Sequence, residues 1–102
     1  MHRELRIIDV MKKIVQRTRR FEKRFKKLVP KLQKQFIKKL GFFLDDEFHP
    51  SLDTHKLKGK KKGEMAFSLT DDVRAIYIKE VVKGEEVIVF TFIDVGTHNV
   101  VY

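Results

Sequence analysis

Four side chains in this chain could move a proton or hold a phosphate. His55 stands in the basic stretch HKLKG, and His98, in GTHN, follows the most apolar run in the chain. Imidazoles titrate near neutral pH, so either ring could act as general base or general acid. Arg74 lies inside the β-branched segment Val73–Val82, where a charge needs a reason. A guanidinium presents paired donors that match phosphate oxygens. Asp72, two residues earlier, could orient an imidazole or accept a proton. Each also has a plainer reading. His55 could pack or cap its own loop, His98 could sit in an exposed tail, and Arg74 could face solvent from a strand. Aspartate in a turn is ordinary chemistry for Asp72, and more so for Asp71. His49, in HPSL, reads as a turn residue and Tyr77 as core.

The chain has 102 residues, enough for one domain and too few for two. Its formal net charge is +9, unevenly spread. Residues 1–62 hold 20 basic and 7 acidic groups, whereas residues 63–102 hold 3 and 7. The first part is suited to meeting a polyanion. Lys12, Lys13, Arg17, Arg19, Arg20, Lys23, Arg24, Lys26 and Lys27 crowd one segment, and Lys56, Lys58, Lys60, Lys61 and Lys62 crowd another. Such contacts position a nucleic acid without specifying its sequence.

Absences narrow the class. The chain has 0 Cys, which excludes disulfide scaffolds and thiolate chemistry and fits a reducing cytosol. The longest apolar run, Val87–Ile93, is far short of the ~20 residues that span a bilayer. MHRELRIIDV carries charges through its apolar stretch and is no signal peptide. No Walker A, Rossmann glycine fingerprint or His-x-x-x-His pair is present.

The elements that must position these groups can be read from periodicity. Lys13–Arg17 is short and β-branched, suited to an edge strand. Thr18 can cap a helix. Phe21, Phe25 and Leu28 recur at helical spacing, and Pro30 opens a second helix. Helices over 18–28 and 30–44 result, with Phe21, Phe25, Phe36 and Phe43 as core. Residues 45–63 read as a loop with one short strand near Thr54–Leu57. Beyond Gly63 the period becomes two, predicting strands over Met65–Leu69 and Val73–Val82 about an Asp71-Asp72 turn. After a second turn at Lys83–Glu86, Val87–Ile93 is apolar on both faces, as a central strand is. Gly96 would let the chain turn, and DVGTHNVVY forms a tail. The fold class is α+β: a small antiparallel β-sheet with two N-terminal helices on one face and the other face uncovered.

Four segments then occur in an order that resembles the RelE/ParE superfamily of toxin–antitoxin toxins, nearest its YafQ-like and HigB-like branches. They are FEKRFKKLVPKLQKQFIKKL (21–40), HPSLDTHKLKG (49–59), GEMAFSLTDDVRAIY (63–77) and VIVFTFIDVGTHNVVY (87–102). The resemblance covers residues 11–102, read as a single RelE-like toxin domain. Residues 1–10 read as an N-terminal extension.

The resemblance implies a cytoplasmic, ribosome-dependent endoribonuclease that cuts mRNA and is silenced by a cognate antitoxin. RNA self-cleavage needs a base for the 2′-OH, an acid for the leaving 5′-oxygen and donors for the phosphorane; no metal or other cofactor is implied. His55, His98, Asp72 and Arg74 match catalytic positions of the family. Tyr102 matches the family's C-terminal tyrosine, which stacks on a base, and the crowded Lys56, Lys58, Lys60, Lys61 and Lys62 are expected by their charge to bind the RNA backbone. Ser68 departs from the pattern, since many relatives carry His or Arg there. That departure leaves room for a ParE-like gyrase inhibitor of the same fold or an inactive relative, and the basic face alone would equally suit a non-enzymatic RNA-binding protein.

Overall fold

The computed structural model of the chain describes residues 12–58, 63–97 and 101. Strand β1 (Lys12–Arg17) leads into helix α1 (Arg19–Lys27) and helix α2 (Pro30–Asp45). A short 3₁₀ turn (Pro50–Leu52) precedes strands β2 (His55–Lys56), β3 (Met65–Ser68), β4 (Val73–Val82) and β5 (Val87–Thr97).

Local chemistry sets the helix boundaries. Thr18 caps α1, its hydroxyl accepting from the Phe21 amide at 3.1 Å. Val29 precedes a proline and is therefore extended, which ends α1, while Pro30 occupies the first turn of α2. The carbonyls left over at the end of α1 are satisfied by Gln33, whose Nε2 donates to Phe25 at 3.0 Å and Leu28 at 3.1 Å.

The five strands form one sheet in the order β1-β5-β4-β3-β2. Pairing is antiparallel from β2 to β5, and β1 adds a parallel pair, Lys12 to Arg17 beside Val87 to Phe92. The chain can close that parallel pair because both helices, β2, β3 and β4 lie between its strands. As the apolar pattern of Val87–Ile93 requires, β5 is interior, flanked by β1 and β4. Both helices lie on one face of the sheet, where Phe21, Phe36 and Phe43 meet Phe67, Tyr77, Phe90 and Phe92. Phe43 is fully buried and stands edge-on to Phe90 and Tyr77, with ring centroids 4.7 and 4.9 Å away.

Two details correct the sequence reading. Gly96 is not a turn: β5 continues through it to Thr97, and Gly96 pairs with Arg74. The face away from the helices is also partly covered. Ala66 and Ile76 are buried there with Val101, with Leu57 and Ile93 packed against them.

A bulge in β5 explains part of this arrangement. Ile76 pairs with Asp94 and Tyr77 with Phe92, so Ile93 is the extra residue. Phe92 and Val95 thus both enter the helix-side core, while Asp94 goes to the opposite side with Ile76. Among the described residues no helix is long and apolar enough to cross a membrane.

Candidate functional site

Side chains directly opposite one another on paired strands project to the same face. The register therefore aligns His55, Ala66, Ile76 and Asp94 in one row across β2, β3, β4 and β5 on the face away from the helices. Ser68, Arg74 and Gly96 form the next row. Strand spacing puts the backbones of His55 and Arg74 about 12 Å apart. Gly96 brings no side chain to the row.

His55 is exposed, and its Nδ1 lies 2.9 Å from the Asp53 carbonyl oxygen. A carbonyl can only accept, so Nδ1 carries the proton, and in the neutral ring Nε2 carries the lone pair. Asp53 reaches this position in the left-handed region, at φ 50 and ψ 47, which aspartate tolerates better than most residues.

Arg74 is held at the β3–β4 hairpin. Its guanidinium donates to the Thr70 carbonyl at 2.6 Å. The Thr70 hydroxyl in turn accepts from the amides of Asp72 at 3.3 Å and Val73 at 3.1 Å. The turn expected at Asp71-Asp72 is thus built by Thr70, and the exposed Asp72 sits at its tip two residues before Arg74.

Lys56 is not brought to this group. It pairs with Met65 and alternates to the helix side of β2, opposite to His55. Lys58 is exposed just past β2. His98, Lys60, Lys61, Lys62 and Tyr102 lie outside the described residues. His49 is a turn residue as expected: its Nδ1 accepts from the Ser51 amide at 3.1 Å, and its ring stacks on Phe42.

Three buried or half-buried carboxylates were not singled out from the sequence. Asp94 is 6% exposed and takes Arg20 and Arg24 of α1, each at 3.4 Å, with the Val95 amide donating to it at 2.9 Å. Glu64 shares a cavity of about 240 Å³ with Asp94, Arg20 and Val101. Glu47 is 7% exposed; its carboxylate accepts from the Tyr77 hydroxyl at 2.6 Å and from Lys79 at 2.7 Å. Burial, then the hydrogen bond and charge of Glu47, hold the Tyr77 hydroxyl protonated well beyond its ordinary range, so it remains a donor. Arg19, Lys23 and Lys27 project outward from α1 at one-turn spacing.

No protein-family model matches the chain, and no curated protein does. Solved structures do. A YoeB/ParE toxin from Agrobacterium tumefaciens superposes with a TM-score of 0.68 at 14% identity, over 83% of this chain and 98% of that one. YafQ from E. coli strain BL21(DE3) does so at 0.59 and 19% identity, over 89% and 99%. The toxin–antitoxin complex RelBE2 from Mycobacterium tuberculosis contributes a chain at 0.60 and 15% identity, over 83% and 96%. The fold is that of RelE/ParE-type toxins, as the ordered motifs suggested.

Proposed function

We propose that this chain is the toxin of a type II toxin–antitoxin pair, an endoribonuclease that cuts ribosome-bound mRNA in the cytoplasm without a metal. The observation that carries this reading is the common face of His55 and Arg74, with Asp72 at the adjoining hairpin tip. One imidazole takes the proton of the 2′-OH. The 2′-oxygen attacks phosphorus, the bond to the 5′-oxygen breaks, and a second acid protonates that oxygen. The products carry a 2′,3′-cyclic phosphate and a 5′-OH.

His55, through Nε2, and His98 share the base and acid roles; the part given to His98 rests on the GTHN resemblance. Arg74 stabilises the charge on the phosphorane, where one well-placed donor contributes on the order of 10²–10³ in rate. Asp72 orients or assists an imidazole. Lys58, Lys60, Lys61 and Lys62 track the RNA backbone, with Lys56 reaching it from the helix side of β2, and Tyr102 stacks on a base. A cognate antitoxin fits the reading, because similar chains come from toxin–antitoxin complexes, RelBE2 and E. coli DinJ-YafQ. Its basic surface calls for an acidic or amphipathic segment on the partner.

Ser68 favours one second reading, a gyrase inhibitor of the same fold, because it puts a neutral hydroxyl opposite Arg74. A single experiment separates the two. Purified protein is mixed with ribosomes programmed with a defined mRNA, and in parallel with gyrase and supercoiled DNA. The proposed toxin yields fragments cut in the A-site codon with cyclic phosphate ends, and His98→Ala greatly reduces them. DNA cleavage complexes without RNA cutting would replace this reading with the second.

A further inference from the structure

His55 belongs to a strand of two residues, which pairs with Ala66 and Met65 of β3 at the edge of the sheet. So short an edge strand lies at the weak end of local stability and cannot by itself hold a side chain still. Something else must support it.

The support comes from the helix side. Glu47 follows α2, and both of its carboxylate oxygens are engaged: Oε2 by the Tyr77 hydroxyl at 2.6 Å and Oε1 by Lys79 at 2.7 Å. Tyr77 is fully buried in β4, so this anchor is tied to the rigid centre of the sheet. The main-chain carbonyl of the same Glu47 then accepts from the Thr54 hydroxyl at 2.7 Å. Thr54 immediately precedes His55. On its other side Asp53, in the left-handed region, turns its carbonyl to His55 Nδ1 at 2.9 Å. Residues 47–54 are therefore closed into a loop whose base is fixed to β4 and whose exit is His55.

We propose that Glu47 and Thr54 are positioning residues for His55, holding its backbone so that the Asp53 carbonyl fixes the ring as the Nδ1–H form. The effect on RNA cleavage rests on the role given to His55 above; the effect on the ring does not. Removing the Thr54 hydroxyl leaves the buried anchor of Glu47 on Tyr77 and Lys79 untouched. Thr54→Ser keeps that link.

The test compares wild type, Thr54→Val, Thr54→Ser and Glu47→Gln. Imidazole ¹⁵N shifts of His55, assigned with His55→Gln, report its tautomer. Single-turnover cleavage on programmed ribosomes reports rate and apparent affinity separately, and thermal unfolding reports folding. In wild type, His55 is dominantly Nδ1–H. Thr54→Val mixes the tautomers and slows cleavage on the order of tenfold to a hundredfold, with affinity and melting temperature nearly unchanged. Thr54→Ser restores both tautomer and rate. Glu47→Gln moves the tautomer in the same direction as Thr54→Val. A tautomer ratio in Thr54→Val identical to wild type would overturn the proposal. If wild type cleaves no RNA, the functional reading fails, while the ¹⁵N comparison still decides the positioning claim.

Discussion

Ser68 faces Arg74 directly across the β3–β4 ladder, on the side of the sheet away from the helices. A cation thus stands beside a group that can offer one hydrogen bond but neither a charge nor a useful base. In the proposed reaction both side chains would face the same phosphodiester.

The first prediction follows from that pair. Ser68→His adds a titratable ring to the row that holds Arg74. Cleavage on programmed ribosomes should rise by roughly a hundredfold, the lower end of what a positioned acid–base group contributes. Affinity for the ribosome should change little, since Ser68 is half-buried and uncharged. Rates from a single-turnover time course check it.

Stability should fall at alkaline pH through Tyr77. Burial, then Glu47, push its hydroxyl pKa in the folded protein above the ordinary 10.0. The unfolded chain therefore loses that proton first as pH rises. Fewer protons bound in the unfolded state means that stability falls with pH, by about 1.4 kcal/mol per unit above about pH 10. Below that pH the contribution is complete. Urea titrations between pH 8 and 11 should show the extra slope in wild type. Tyr77→Phe should lack it and lose roughly 1–3 kcal/mol at neutral pH, because Glu47 then keeps one oxygen unmet.

The outward stripe Arg19, Lys23 and Lys27 should meet phosphates rather than perform chemistry. Replacing all three by Gln should weaken binding to ribosomes or structured RNA and flatten the salt dependence. Each lost phosphate contact removes about 0.7–0.9 from the log–log slope. Folding should stay within roughly ±0.5 kcal/mol per substitution, as these side chains are exposed. Binding isotherms at several salt concentrations measure both effects.

Much of this architecture was legible in the residues. The phenylalanine spacing, the Thr18 cap and Pro30 mark both helices because those signals act locally. The double-faced apolar run of β5 marks an interior strand for the same reason. The end of that strand was not legible: Gly96 and Thr97 carry turn chemistry, and pairing with Arg74 and Val73 keeps them extended. Nor does a pattern such as KIVQR say whether its partner runs parallel, since the period is two either way. His55, Asp72 and Arg74 could be singled out by residue type, spacing and resemblance. That His55 and Arg74 share a face depends on register parity across three strands, and a slip of one residue would separate them. Glu47 looked like one more acid in a loop rich in aspartate. Its burial depends on Tyr77 and Lys79, about thirty positions on, and no local pattern announces that.

The central claim is that His55 and Arg74 act together on a single phosphodiester. Single-turnover cleavage of mRNA on programmed ribosomes by wild type, His55→Ala, Arg74→Ala and the double variant tests it most directly. Each single variant should lose on the order of 10²–10³ in rate, and the double variant should lose less than the product, as groups serving one transition state do. Full activity in both single variants, or a double-variant loss equal to the product of the single losses, would contradict it.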